Sequence, residues 1–209
     1  MPADVSQSKA KSLKGRMSCD GNDCNSGLHC FRITKKKDEE HKPQGACQAC
    51  GKVGLVDWPR VNARDLSDVS HTIEMLQREW VRHEYWCVKQ IKPKALVHAL
   101  KKGRAGMREA AEKAIRQKIG KAKNYREGFQ TPWEDEDTSV SYGQHATATC
   151  CRRCVEYWHG IPFGRDLTDD EVNYLGALLF NFLDSKIDLT ENGEKVTDLR
   201  QKRPELFAR

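Results

Sequence analysis

Two cysteine-rich segments contain the residue types that bind transition metals. In the first, "CQACGK" places Cys47 and Cys50 three positions apart and ahead of a glycine, a spacing typical of a tight metal-binding turn. The stretch "CDGNDC" supplies a second pair, Cys19 and Cys24, whose gap also suits metal ligands. The first predicted site is therefore Cys19, Cys24, Cys47 and Cys50.

Four thiolates closing one site favour Zn²⁺ over Mg²⁺ or Ca²⁺, which prefer oxygen ligands. Whether Cys30 replaces Cys24 stays open, and His29 and His41 lie in the same segment. The rival interpretation is a redox-active dithiol at Cys47 and Cys50, but no βαβ pattern surrounds that pair. Zinc would hold together a lobe too small to fold by burial alone.

The second segment is "QHATATCCRRCVEYWH". Its predicted metal ligands are His145, Cys151, Cys154 and His159, with Cys150 as an alternative fourth ligand. One competing interpretation is that these are small core cysteines beside hydrogen-bonded histidines. Another is a nucleophilic Cys150, activated by the neighbouring arginines of the motif.

A hydrolytic role for the same segment is an alternative. In a metal-dependent nuclease, His145 would act as the base, His159 as a metal ligand and Arg165 as an electrostatic stabiliser. No Asp-His pair precedes His145, and the spacing usual in ββα-metal nucleases is absent.

The longer stretch "QHATATCCRRCVEYWHGIPFGRDLTDDE" resembles the signature of an uncharacterised bacterial family, a domain of unknown function, over about residues 125–187. That family has no assigned activity. The resemblance implies a shared site formed by His145, Cys150, Cys151, Cys154, His159 and Arg165.

Positive charge is concentrated in one segment. Thirteen lysines and arginines lie between Lys89 and Arg126 against two glutamates, whereas the whole chain carries only +6. Such a segment favours contact with nucleic-acid phosphates, and the nearby Tyr125, Phe129 and Trp133 could stack on bases. An acidic protein partner would explain the same charges. The predicted nucleic-acid contacts are Lys101, Lys102, Arg104, Arg108, Lys113, Arg116, Lys118, Lys121, Lys123 and Arg126.

The elements that must position these residues are predicted to be mainly α-helical, with small zinc-stabilised β or loop modules. Hydrophobic periodicity predicts one long helix from Asp65 to before Pro93, a second from Pro93, a break at 103–106 and a third over 107–119. A short strand is expected to lead into the central motif. The sequence "TDDE", from Thr168, predicts a capping box at the start of the last helix.

We divide the chain into a disordered leader (1–16), a zinc-ribbon-like lobe (17–60), a helical domain with the basic helices and the Cys/His motif (61–189) and a loosely attached polar tail (190–209). No apolar stretch has the length of a signal peptide or a membrane span, which favours a cytoplasmic protein with reduced thiols and no membrane partner. The expected function is zinc-stabilised nucleic-acid binding, within a bacterial defence, mobile-element or processing complex. A metal-dependent hydrolase and a protein-interaction adaptor in a larger assembly are the alternatives.

Overall fold

The structure is a computed structural model that describes residues 17–32, 43, 45–122, 131–133 and 137–208. It confirms the prediction of a mainly helical protein. The leader, 1–16, lies outside the described residues. The described α-helices are α1 (Trp58–Asn62), α2 (Val69–Leu76), α3 (Trp80–His83), α4 (Pro93–Ile119), α5 (Val140–Ala146), α6 (Arg152–His159), α7 (Asp169–Lys186) and α8 (Val196–Lys202).

The described part of the N-terminal lobe consists of turns, the loop form of the expected β or loop modules. Within its described part, β-pairing is limited to two isolated bridges, Asp23 with Leu28 and His29 with Glu79. The second bridge joins the lobe to the helical domain, because the His29 amide donates to the Arg78 carbonyl at 2.8 Å and the Trp80 amide donates to the His29 carbonyl at 2.9 Å.

The single long helix expected from Asp65 is instead four short pieces. A 3-10 turn (Leu66–Asp68) precedes α2, and a π-helical turn (Glu84–Val88) follows α3. Between α2 and α3 the backbone of Glu79 is extended, and its side chain is completely buried. The apolar residues do recur with helical periodicity. The helix is nevertheless interrupted at Glu79, because the chain must turn there to bury this carboxylate beside Arg82, and hydrophobic periodicity does not indicate such an interruption.

Helix α4 is bent at Gly103, within the break predicted for 103–106. Gly103 has φ +68°, and a Cβ there would lie 2.1 Å from the backbone nitrogen of Gly193. The amides beyond the bend donate to the 190s loop, Arg104 to the Thr190 carbonyl at 2.8 Å and Ala105 to the Glu191 carbonyl at 3.2 Å.

These contacts show that the C-terminal segment is not loosely attached. Its loop closes the bend in α4, and Leu199 on α8 is completely buried. The segment was expected to be loose because it is polar, but its backbone groups meet the amides that the bend in α4 leaves without helical partners.

The core lies where α4, α5 and α7 pack together. Helix α7 begins with the predicted capping box, in which Thr168 and Glu171 exchange side-chain and backbone hydrogen bonds. Five apolar residues of α7 are buried in this core, namely Val172, Leu175, Leu179, Phe182 and Leu183.

The stretch that leads into the central motif is helix α5, not the expected strand. Every residue of α5 is buried. The β-branched and aromatic residues of this stretch, on which the strand prediction was based, are therefore core residues of a helix. A turn from Thr147 to Cys151, with Ala148 at φ +55°, connects α5 to α6.

Candidate metal centres

The first candidate metal centre consists of Cys24, His29, Cys47 and Cys50 in the N-terminal lobe. One ligand atom from each residue lies within 4.8 Å of those of the others. The Cys24 and Cys47 sulfurs are 3.7 Å apart, and Cys50 Sγ is 3.6 Å from His29 Nδ1. A tetrahedral ion with zinc–sulfur bonds of about 2.3 Å separates neighbouring sulfurs by roughly 3.8 Å. The four side chains are therefore spaced as ligands of one ion.

The turn that carries Cys47 and Cys50 has the geometry that "CQACGK" predicts. Gly51 adopts φ +80°, and its amide donates to the Cys47 carbonyl at 2.8 Å. Burial tends to raise the pKa of Cys47, but backbone hydrogen bonds with Cys30, Cys50 and Ala49 outweigh burial and lower it to about 6. The lowered pKa favours the thiolate of Cys47, the form of cysteine that binds metals.

His29 stands where the sequence interpretation placed Cys19. The chain turns back after Cys24 through a 3-10 turn that ends at Gly27, whose φ is +77°. The Asp23–Leu28 bridge closes this reversal and returns His29 to Cys24. Cys24, Cys47 and Cys50 are together as predicted, whereas Cys19 lies elsewhere. The signal for His29 was its position in "GLHC", five residues after Cys24.

The second candidate centre contains Cys150, Cys151 and Cys154, whose sulfurs also lie within 4.8 Å of one another. Cys150 and Cys154 sulfurs are 3.5 Å apart, and the three side chains are 0–3% exposed. Cys150 was the alternative ligand in the sequence interpretation and is a full member of the cluster. The cysteines are separate thiols rather than disulfides.

Cys19 belongs beside this second cluster. Its side chain is 3% exposed and hydrogen-bonds with the Cys154 sulfur. Cys30, also buried, donates from its thiol to the Cys19 carbonyl at 3.5 Å and is in neither cluster. Nothing local in the sequence links Cys19 to Cys154, since the contact spans most of the chain.

His145 is not grouped with the thiols. Its Nε2 donates to the Thr131 carbonyl at 2.8 Å, and its ring stacks between Tyr85 and Trp133 with centroid separations of 5.1 and 4.5 Å. Burial, followed by the charge of Arg82, lowers its pKa to about 4, so the imidazole is neutral at pH 7.

His159 is likewise held away from the thiol cluster. Its Nε2 donates to the Thr147 carbonyl at 3.0 Å, and burial lowers its pKa to about 4. Cys154 and His159 are five positions apart on α6, which places them roughly 140° apart around the helix axis. The predicted ligand set of His145, Cys151, Cys154 and His159 is therefore not brought together, because both imidazoles hydrogen-bond to backbone carbonyls instead.

The comparison with family models matches residues 70–184 to DUF4186, a domain of unknown function, over more than half of the chain. The chain belongs to the DUF4186 family. The match begins well before residue 125, so it includes α2 and α3, which the motif resemblance left out. Three thiols of the second cluster lie inside the DUF4186 region, and Cys19 and the whole first cluster lie outside it. No solved structure matches the chain.

A buried polar network joins α3 of the DUF4186 domain to α6. Arg82 and Glu79 are both completely buried and form an ion pair at 2.9 Å. Glu79 also accepts hydrogen bonds from Tyr157 and from Trp158 Nε1, the latter at 2.6 Å. Arg82 donates to the His145 carbonyl at 2.6 Å and to the Cys154 sulfur at 3.4 Å.

Arg165, the predicted electrostatic stabiliser, is exposed and paired with Glu171. Its Nη1 and Nη2 donate to the two oxygens of that carboxylate at 2.8 and 2.5 Å. The Arg165 hydrogen bond lowers the pKa of Glu171 to about 2. The guanidinium thus supports the start of α7.

The predicted nucleic-acid contacts divide into paired and unpaired cations. Arg104 pairs with Asp184, Arg116 with Asp169 and Lys121 with Asp166. Arg108 lies over the Phe180 ring, and Lys118 donates to Gln144. Within the part of the chain that is described, Lys101, Lys102 and Lys113 are exposed and have no ion pair. Lys123 and Arg126 lie outside the described residues.

None of the helices in the described ranges is both long enough and apolar enough to cross a membrane.

Proposed function

We propose that this protein binds Zn²⁺ through Cys24, His29, Cys47 and Cys50, and that the ion stabilises the fold instead of reacting. The observation that carries the proposal is the convergence of three thiols and one imidazole within 4.8 Å. Three sulfurs and a nitrogen are a ligand set that suits Zn²⁺ and does not suit Mg²⁺ or Ca²⁺.

A structural role follows from the number of ligands. Four protein ligands fill a tetrahedral zinc ion, whereas catalytic zinc keeps one position for water or substrate. The part of the surrounding lobe that the structure describes has little regular secondary structure of its own, and metal binding supplies folding free energy to such segments. Removal of the ion is therefore expected to unfold this lobe first.

The test is zinc quantification in the purified full chain, compared with Cys47→Ser and Cys87→Ser. Cys87 is an exposed thiol outside both clusters and serves as the matched control. The proposal expects Cys47→Ser to lose one equivalent of zinc and Cys87→Ser to lose none. Equal zinc contents in wild type and Cys47→Ser would reject it.

Nucleic-acid contact is a second candidate function, supported by the exposed lysines of α4. Since Lys101, Lys102 and Lys113 have no ion pair among the described residues, their charge is available to phosphates, while that of Arg104, Arg116 and Lys121 is partly neutralised. A hydrolase built on His145, His159 and Arg165 has less support, because both imidazoles are buried and Arg165 is paired.

Fluorescence anisotropy with labelled single-stranded and duplex oligonucleotides tests this second function. Binding should fall steeply as salt rises, and Lys101→Glu with Lys102→Glu should weaken it by at least about tenfold. The charge-matched control is Arg60→Glu with Arg200→Glu, which changes exposed residues outside α4. No binding at low salt, or equal losses in both double variants, would rule out α4 as the binding surface.

A further inference from the structure

The second thiol cluster lies in the protein core, with its three side chains 0–3% exposed. Cys150, Cys151 and Cys154 come from a five-residue stretch at the start of α6, where the extended backbone of Cys151 precedes the first helical turn. This geometry directs three sulfurs toward one point, within 4.8 Å of one another. Three thiols leave a tetrahedral ion one ligand short.

Cys19 supplies a fourth sulfur beside Cys154, outside the group of three whose sulfurs all lie within 4.8 Å of one another. Its thiol contacts that of Cys154, and it is buried to the same degree as the other three. Two backbone features hold it there. The Cys19 carbonyl accepts a hydrogen bond from Cys30, and the following His29 segment pairs with residues 78–80 of the DUF4186 domain.

Two arginines near the cluster offset part of the charge that a site of four thiolates would carry. A Zn²⁺ ion with four thiolates carries a net charge of −2, which is costly to bury without nearby cations. Arg82, completely buried, donates to Cys154, and Arg32 lies close enough to Cys19, Cys151 and Cys154 to interact with their charges. Two guanidinium groups thus lie near the sulfurs, and one of them, Arg82, is also paired with Glu79.

We propose that Cys19, Cys150, Cys151 and Cys154 bind a second metal ion, Zn²⁺, and that this ion joins the N-terminal lobe to the DUF4186 domain. One ligand comes from outside the family-matched region and three come from within it. The site goes beyond the proposed first centre and shares no ligand with it. The ion acts as a cross-link between segments more than 130 positions apart in sequence.

The experiment is ¹¹³Cd NMR of the full chain after replacement of zinc by cadmium, because four-sulfur sites resonate at higher frequency than sites with a nitrogen ligand. Wild type should give two resonances, one of each kind. Cys19→Ser should remove or shift only the four-sulfur resonance and weaken that site more than about 100-fold. Cys87→Ser, which changes an exposed thiol outside both clusters, should keep both resonances.

If Cys19→Ser does not fold, Cys19→His offers a nitrogen ligand and should move the four-sulfur resonance to lower frequency. Cys19→Ser with both resonances unchanged would overturn the proposal. So would a wild-type spectrum with the sulfur-and-nitrogen resonance alone, although the first centre would then stand. A wild-type spectrum with the four-sulfur resonance alone would support this inference and reject the proposed first centre.

Discussion

Arg82 Nη2 donates a hydrogen bond to Cys154 Sγ at 3.4 Å, and both side chains are completely buried. The same guanidinium pairs with Glu79 and holds the His145 carbonyl. The pKa of Cys154 is held well below its usual range, mainly by hydrogen bonds with Cys150 and Cys151. One arginine therefore links the Glu79 carboxylate, the α5 backbone and a sulfur of the second cluster.

Loss of the Arg82 guanidinium should be strongly destabilising. Arg82→Met leaves the Glu79 carboxylate buried without its cation, which costs about 3–5 kcal/mol for a broken buried pair. Arg116→Met, which removes an exposed guanidinium paired with Glu112 and Asp169, should have a much smaller effect. Urea unfolding of both variants measures the difference, and similar losses in the two would contradict the role given to Arg82.

The bend in α4 should depend on Gly103. Gly103→Ala forces a side chain into positive φ and against the Gly193 backbone, and should destabilise the protein by more than about 1–2 kcal/mol. Gly176→Ala is the control, because a Cβ there meets Glu112 at an ordinary 3.5 Å and adds helix propensity to α7. Thermal unfolding should show opposite signs for the two variants. A neutral Gly103→Ala would mean that the 190s loop does not pack against the bend.

The Arg165–Glu171 pair should give pH-dependent stability. The pKa of Glu171 is about 2 in the folded protein, against an ordinary value of 4.5. Its contribution is therefore present above about pH 4.5 and is lost as pH falls toward 2. Because Arg165 is exposed by nearly half, we expect only about 1 kcal/mol at neutral pH.

The measurement is the unfolding free energy of wild type and Glu171→Gln between pH 7 and pH 3. The difference between them should be largest near neutrality and shrink below pH 4.5. In an Arg165→Gln background most of this dependence should disappear, since Arg165 is the main cause of the shift. A difference in unfolding free energy that grows as the pH falls would contradict a lowered pKa of Glu171 in the folded protein.

His29 and His159 are both buried, but we expect only His29 to bind zinc. His29→Gln removes a ligand and should weaken zinc binding at the first centre more than about 100-fold. His159→Gln should lower stability but keep the zinc content of wild type, because His159 hydrogen-bonds to the Thr147 carbonyl. Competition with a zinc-binding dye gives the affinities. Zinc loss in His159→Gln with retention in His29→Gln would reverse the assignment.

Local patterns were sufficient for the features that short stretches of sequence determine. The capping box at Thr168, the break near Gly103 and the turn at Cys47 and Cys50 are all properties of a few neighbouring residues. The spacing of the cysteines and histidines also indicated residue clusters that could hold a metal ion.

Contacts across the chain were not available from local patterns. The sequence spacing of Cys19 suggested the first cluster, but in the fold Cys19 contacts Cys154. His29 occupies the fourth position of the first cluster instead, because the chain reverses direction at Gly27. His145 and His159 are of a residue type that binds metals, yet each imidazole donates a hydrogen bond to a backbone carbonyl. The break at Glu79 depends on partners on α6, nearly eighty residues later.

The most direct test of the two-centre account is an anomalous difference map at the zinc edge, from crystals of the full chain purified without chelator. The account predicts two peaks. One should lie about 2.3 Å from the sulfurs of Cys24, Cys47 and Cys50 and about 2.1 Å from His29 Nδ1. The other should lie about 2.3 Å from the sulfurs of Cys19, Cys150, Cys151 and Cys154. A well-ordered structure with no peak, or with a peak bound by His145 or His159, would contradict it.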